Sequence, residues 1–158
     1  MQWHLCDTLC HNSERIYGAQ VLFLTCARDI TEEKMLASGK MVGFVPTKDY
    51  DKARAFYGGN LGCEFISLDQ YALVMSVGGH KIRIAKVPNF TPLQGTILGW
   101  EVENIEAIVT WLRDRGVVLE KYPFVQDREL GIWTTPTGDK VAWFKDPDGN
   151  ILSVSQHQ

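Results

Sequence analysis

The chain predicts an α+β fold built from two βαβββ modules. Three observations predict it. The order strand, helix, three strands runs once over residues 40–87 and restarts over residues 96–157. The restart keeps register: Val42 to Asp49 and Ile97 to Asn104 are each a step of seven positions, and the two pairs lie 55 positions apart. Turn signals recur at the last hairpin of each run, Gly78-Gly79 in the first and Asp146-Pro147-Asp148-Gly149 in the second. Gly79 and Gly149 are 70 positions apart, so the second module is longer by 15 residues, which fall around Tyr122–Trp133. A module of this kind leaves one sheet face uncovered, so the two must pack on each other or on a partner chain.

Each element has a local cause. MVGFVPTKD, Met41–Asp49, reads as a strand, with Pro46 placed where a ladder hydrogen bond can be spared. Asp49 is an N-cap for a helix that puts Ala53, Phe56 and Tyr57 on one face, and Gly58-Gly59 is the expected stop. CEFISL, YALVMSV and HKIRIAKV follow as strands. Residues 88–95, PNFTPLQG, form a linker by their Pro, Asn and Gly content. In module two, TILGWEV is a strand, and Asn104 caps a helix with the apolar stripe Ile105, Ile108, Val109 and Leu112 that ends at Gly116. VVLEKYPF, a looser GIWTTP, KVAWFK and NILSVSQ complete it.

Bulk properties narrow the function classes. With 158 residues the chain suits one domain or two small halves sharing a core. A net charge of −3 with scattered Lys and Arg argues against a nucleic-acid partner. No apolar run approaches the roughly 20 residues of a membrane span. Three of the four cysteines lie in the first 26 residues, which is not a disulfide framework, so a reducing, cytoplasmic compartment is expected. Residues 1–39 read as an N-terminal extension, expected to be poorly ordered. His4, Cys6, Cys10 and His11 invite a zinc reading, but they lack the folded spacer between ligand pairs, which favours chance composition. The apolar patch Ala19–Ala27 has acidic rather than basic upstream flanks and makes a poor signal peptide. Met35 and Met41 are alternative start sites.

Three segments carry a family resemblance: FVPTKDYDKARAFYGGNLG at 44–62, GWEVENIEAIVTWLRDRGV at 99–117, and DPDGN at 146–150. In this order they resemble the vicinal oxygen chelate superfamily, which holds glyoxalases, bleomycin resistance proteins and extradiol dioxygenases. The resemblance implies that the two modules form a curved mixed sheet around a cleft. It also implies a cation held by four side chains from the first and last strand of each module. Carried onto this sequence, those positions are Val42, Arg83, Ile97 and Ser153. Two aliphatics, a guanidinium and a hydroxyl are poor ligands for a divalent ion, and Arg83 would repel one. A one-residue slip brings in only aliphatic side chains and Gly43. His80 and His157 are not at ligand positions. The expected site therefore holds no metal and no other cofactor.

Alternation along strands places Phe44 with Val42, Lys81 and Ala85 with Arg83, Gly99 and Glu101 with Ile97, and Ile151 and Ser155 with Ser153. That face is part apolar with a few polar groups, which suits a small organic ligand. Arg83 is a candidate anchor for an anionic group, or else an ion-pair partner for Glu101. Phe44 either stacks on a flat ligand or is core. Ser153 and Ser155 either face the ligand or fit a crowded strand. Glu101 is the candidate catalytic group, as a general base if an apolar cleft raises its pKa. Gln126, Asp127 and Trp133 lie in the longer segment of module two, where a loop either borders a site or is structural. Trp100 and Trp111 are expected to pack, and Trp143 to serve sheet or interface packing. No phosphate-cradling loop and no GxSxG, HExxH or CxxC motif competes. Three readings follow. The first is a metal-free binding protein for a small organic molecule, acting in sequestration or sensing as a homodimer. The second is a small lyase, isomerase or thiol-transfer enzyme of the glyoxalase type, working without metal or with a metal held by partner-chain ligands. The third is a non-catalytic interaction domain.

Overall fold

The side chain of Asp49 accepts hydrogen bonds from the amides of Asp51 and Lys52, and so starts the first helix of the computed structural model, which describes residues 36–158. The His4, Cys6, Cys10 and His11 group, the Ala19–Ala27 patch and Met35 lie outside the described residues. The compact unit treated below is Lys40–Gln158.

Module one runs β1 (Val42–Thr47), α1 (Tyr50–Arg54), β2 (Glu64–Leu68), β3 (Ala72–Val77) and β4 (His80–Lys86). Its four strands lie in the order β1-β4-β3-β2, with β1 parallel to β4 and the other pairs antiparallel. Pro46 falls on β1, an edge strand, where its missing N–H leaves no ladder bond unmade. The helix does not stop at Gly58-Gly59 as its sequence predicts. It continues past Arg54 as a wider π-type turn over Ala55–Asn60, with the Leu61 amide donating to the Phe56 carbonyl. The terminating residue is Gly62, in the left-handed region at φ +71°. Gly58 lies inside the π-type turn without a positive φ, and a Cβ there would make an ordinary contact 3.5 Å from Met75 Cε.

Module two runs β5 (Thr96–Glu101), α2 (Ile105–Asp114), β6 (Leu119–Glu120), β7 (Trp133–Thr134), β8 (Lys140–Lys145) and β9 (Ile151–Gln156). Asn104 caps α2 through the Ala107 amide, and Gly116 follows its end at φ +78°. The strands order as β5-β9-β8-β6, with β7 also on β8. VVLEKYPF is therefore not one strand. Leu119 and Glu120 pair Phe144 and Trp143, while Trp133 and Thr134 pair Val141 and Lys140. The longer segment of module two splits the outer strand that module one keeps whole as β2. A bulge between Thr96 and Leu98 shifts the β5–β9 register.

Both helices lie on the same side of their sheets as one shared core. It includes Val45, Tyr57, Leu73, Met75 and Ile84 from module one and Ile105, Val109, Leu112, Phe144 and Leu152 from module two. β1 and β5 meet at the junction, where a Cβ on Gly43 would lie 3.7 Å from Leu98 Cδ1. Phe56 and Trp100 both pack on Phe144, with ring centroids 6.5 and 6.2 Å away.

DPDGN turns out to be more than a hairpin turn. The Asp146 carboxylate is buried and accepts from the Tyr57 hydroxyl at 2.9 Å, from Asn150 Nδ2 at 2.7 Å, and from the Asp148 and Asn150 amides. Asn150 also donates to the Pro46 carbonyl, and Thr47 donates to Asp148. This turn thus fastens the last hairpin of module two to β1 and to the π-type turn after α1 in module one.

Candidate functional site

The sheet faces away from the helices carry most of the residues singled out in the sequence. On module one, one row across the ladder reads Phe44, Arg83, Val74, Ser67, and its neighbour reads Val42, Lys81, Ser76, Glu64. On module two the corresponding rows are Gly99, Ser153, Trp143, Glu120 and Glu101, Ser155, Val141, Trp133. Leu152, Val154, Ala142 and Phe144 alternate with these and are buried, which fixes the outward direction of the rows.

Phe44 is 67% exposed, so it is not core. Arg83 does not pair with Glu101. Its Nη2 lies 3.1 Å from Asp69 Oδ2, at the turn between β2 and β3. Asp69 is held there because its other oxygen accepts from the Tyr71 and Ala72 amides, and these bonds, with Arg83, keep its carboxyl below the usual range. Glu101 is exposed at the end of β5 beside Ser155, so the apolar enclosure that a general base requires is not built around it. Ile97 leaves the expected face. The β5 bulge turns it against the core, and Thr96 Cγ2 comes within 4.0 Å of the place a Gly99 Cβ would take. Ser153 Oγ lies 2.8 Å from that same place, so any larger residue at 99 would displace it.

The loop residues separate. Asp127 is used by the loop itself, accepting from the Glu129 and Leu130 amides, and its carbonyl accepts from Gly131. Gln126 is exposed. Trp133 joins an aromatic group that the sequence reading did not assemble. Its ring centroid is 6.1 Å from Trp143 and 5.6 Å from Phe124, and Tyr122 stacks on Phe124 at 5.5 Å and meets Trp143 edge-on at 5.5 Å. The signal was present: Tyr122 and Phe124 are two apart, and Trp143 alternates with buried residues. Four rings therefore stand beside a floor made of Gly99 and Ser153.

The residues at the four positions implied for a cation do not fit one. Val42 and Ile97 have no donor atoms, Arg83 is a cation already paired with Asp69, and Ser153 is a lone hydroxyl. Among the described residues no three His, Cys, Asp or Glu side chains gather as metal ligands do. Among the described residues, no helix is long and apolar enough to cross a membrane.

Among curated proteins none matches the chain. Solved structures do. A glyoxalase family protein from Bacillus anthracis aligns at 21% identity and TM-score 0.59, covering 76% of this chain and 95% of its own. A glyoxalase family protein from Enterococcus faecalis aligns at 22% and 0.54, covering 73% and 94%. A glyoxalase/bleomycin resistance protein/dioxygenase from Alicyclobacillus acidocaldarius aligns at 13% and 0.56, covering 76% and 92%. At these identities the likeness is one of fold. The family profile described as Glyoxalase/Bleomycin resistance protein/Dioxygenase superfamily matches residues 40–154, both modules and the turn that joins them, and the chain belongs to that superfamily.

Proposed function

We propose that this protein is a metal-free member of its superfamily that binds a small, flat organic molecule on the open face of module two. The observation that carries this reading is the row Gly99–Ser153–Trp143: a floor with almost no side chain, walled by the ring group of Tyr122, Phe124, Trp133 and Trp143. Flat faces of aromatic rings stack on such walls, and a part-apolar surface with a few polar groups is the usual chemistry of a small-molecule site. Ser155 and Glu101 supply polar contacts in the next row. Arg83 donates to Asp69 through Nη2, which leaves further guanidinium N–H groups for an anionic substituent reaching over module one. The role is sequestration or sensing, in a reducing cytoplasmic compartment and as a homodimer.

The test is a thermal-shift screen of planar compounds, charged and neutral, on the wild type and on Gly99→Val. Compounds that raise the melting temperature of the wild type are expected to lose at least about tenfold in affinity for Gly99→Val. Unchanged affinity in that variant would place the ligand elsewhere. Stoichiometric zinc, nickel, manganese or iron in the purified protein would overturn the metal-free reading, and turnover of a hemithioacetal abolished by Glu101→Gln would replace binding with catalysis.

A further inference from the structure

The helix side of the molecule holds a second feature that the open face does not use. A hollow of about 390 Å³ lies where the end of the first helix meets α2 and the core face of module two. Leu61, Trp100, Val102, Ile108, Trp111 and Phe144 line most of it, and no charged side chain does. Trp111 is held in place from outside by the Arg115 guanidinium, 3.9 Å from its ring centroid. Trp100 is held by stacking on Phe144. The walls are thus two indoles and a phenyl ring fixed by their own neighbours, and the space between them is left open. The hollow opens to solvent along α2, where Ala107 is exposed, so an apolar occupant can enter it without unfolding. A further hollow of about 390 Å³ adjoins this one through Leu61 and Trp100, and it is bordered by Cys63, Glu64 and Ser76. Glu64 and Ser76 belong to the outward row of module one, so the first hollow keeps a wholly apolar lining on the helix side.

We infer that this back hollow is a binding site for an uncharged aromatic molecule of one or two fused rings. The rings pack between Trp100 and Trp111. The ring size follows from the volume, since sites of roughly 300 Å³ and above enclose such ligands. Neutrality follows from the lining, because an ion taken there would lose its hydration without a partner. This site lies on the opposite side of the sheets from Gly99, Ser153 and Trp143, so it does not depend on the function proposed for that face.

The test uses the full chain and 1-naphthol, which is neutral at pH 7, with 1-naphthalenesulfonate as the charged control. Planar compounds also fit the open face, so the calorimetric titration is done on Trp143→Ala, where naphthol is expected to bind at one per chain and the sulfonate not at all. Ala107→Trp fills the hollow from an exposed position on α2 and should weaken naphthol by about tenfold or more. Val102→Phe does the same from β5's end should the first variant fold poorly. Both variants are made on the Trp143→Ala background, which removes a ring from the open face and leaves the hollow untouched. Absence of naphthol binding to Trp143→Ala, or conversion of a dimer to a monomer by Ala107→Trp, would each overturn the inference. The last outcome would assign the hollow to a second copy of the chain.

Discussion

Removing one oxygen atom tests whether the DPDGN turn holds the two modules together. In Tyr57→Phe the ring stays and the hydroxyl goes. Tyr57 is fully buried, and burial together with the neighbouring Asp146 charge pushes its pKa far upward, so the hydroxyl is a neutral donor at every accessible pH. Asp146 is 6% exposed and has four donors in the wild type, from Tyr57, from Asn150 twice and from Asp148. The variant leaves three, and the carboxylate stays buried. A hydrogen bond to a charged group contributes about 1.5–3 kcal/mol. The expected loss of stability is therefore about 2 kcal/mol, which for a domain of this size lowers the melting temperature by roughly 5–10 °C. Urea denaturation should show a lower midpoint with an unchanged slope. Tyr50→Phe is the control: its hydroxyl accepts only the exposed Lys86 amide at 3.2 Å, so the change should stay within about 0.5 kcal/mol. A double-mutant cycle of Tyr57→Phe with Asp146→Asn should give a coupling above about 1 kcal/mol. If Tyr57→Phe were no more costly than Tyr50→Phe, the turn would not be what fastens the modules.

Other outcomes follow from the same geometry. Asp69→Ala should lower the urea midpoint more than Arg83→Ala, because Asp69 also holds two amides of its own turn, whereas the exposed ion pair alone contributes little; equal losses would show that the pair dominates. The carboxyls of Asp49, Asp69 and Asp139 are held low mainly by backbone N–H groups, and Glu106 by Lys140. A lowered folded pKa contributes stability that is present above the unfolded value and lost as pH falls through the folded one. Stability should therefore be flat down to about pH 4.5 and decline below it, and a rise on acidification would contradict the assignment. Burial pushes the Cys63 thiol from 9.0 up to about 11. At pH 8 its thiolate fraction is then roughly a hundredfold below that of an unfolded cysteine. Peptide mapping after iodoacetamide should show Cys63 unmodified in the native protein and labelled in urea.

Much of this fold is local, and that part was legible. The caps at Asp49 and Asn104, the stop at Gly116 and the two-glycine hairpin at Gly78-Gly79 each depend on a residue and its near neighbours. What escaped depends on partners distant in the chain. Gly58 looks like a stop, but its neighbour is Met75, and the helix runs on to Gly62. Arg83 shares a face with Glu101 by alternation, yet it meets Asp69, because the turn after β2 brings a carboxylate closer than the other module does. The β5 bulge moves Ile97 by one place, and period-two reasoning fails wherever a residue is inserted. Trp133 was singled out for its loop, but its partners come from β8 and from Tyr122–Phe124, three separate stretches that only the fold joins.

The two modules also differ where they correspond most closely. Offsets of 55 and 70 residues place Gly99 opposite Phe44 and Ser153 opposite Arg83. In each module these two residues are ladder partners on the outward face. Module one fills the position with a phenyl ring and a guanidinium tied to Asp69; module two leaves it nearly bare and raises four aromatic rings beside it. A symmetric cation site would need donors from both modules, whereas a stacking site needs one clear floor and one wall. The side chains suit the second arrangement, the one proposed above. Gly99 has no φ in the left-handed region, so no backbone requirement of that kind keeps it a glycine. A Cβ at 99 would lie 2.8 Å from Ser153 Oγ, so close packing across the β5–β9 ladder is what favours glycine here, and the bare floor is its consequence.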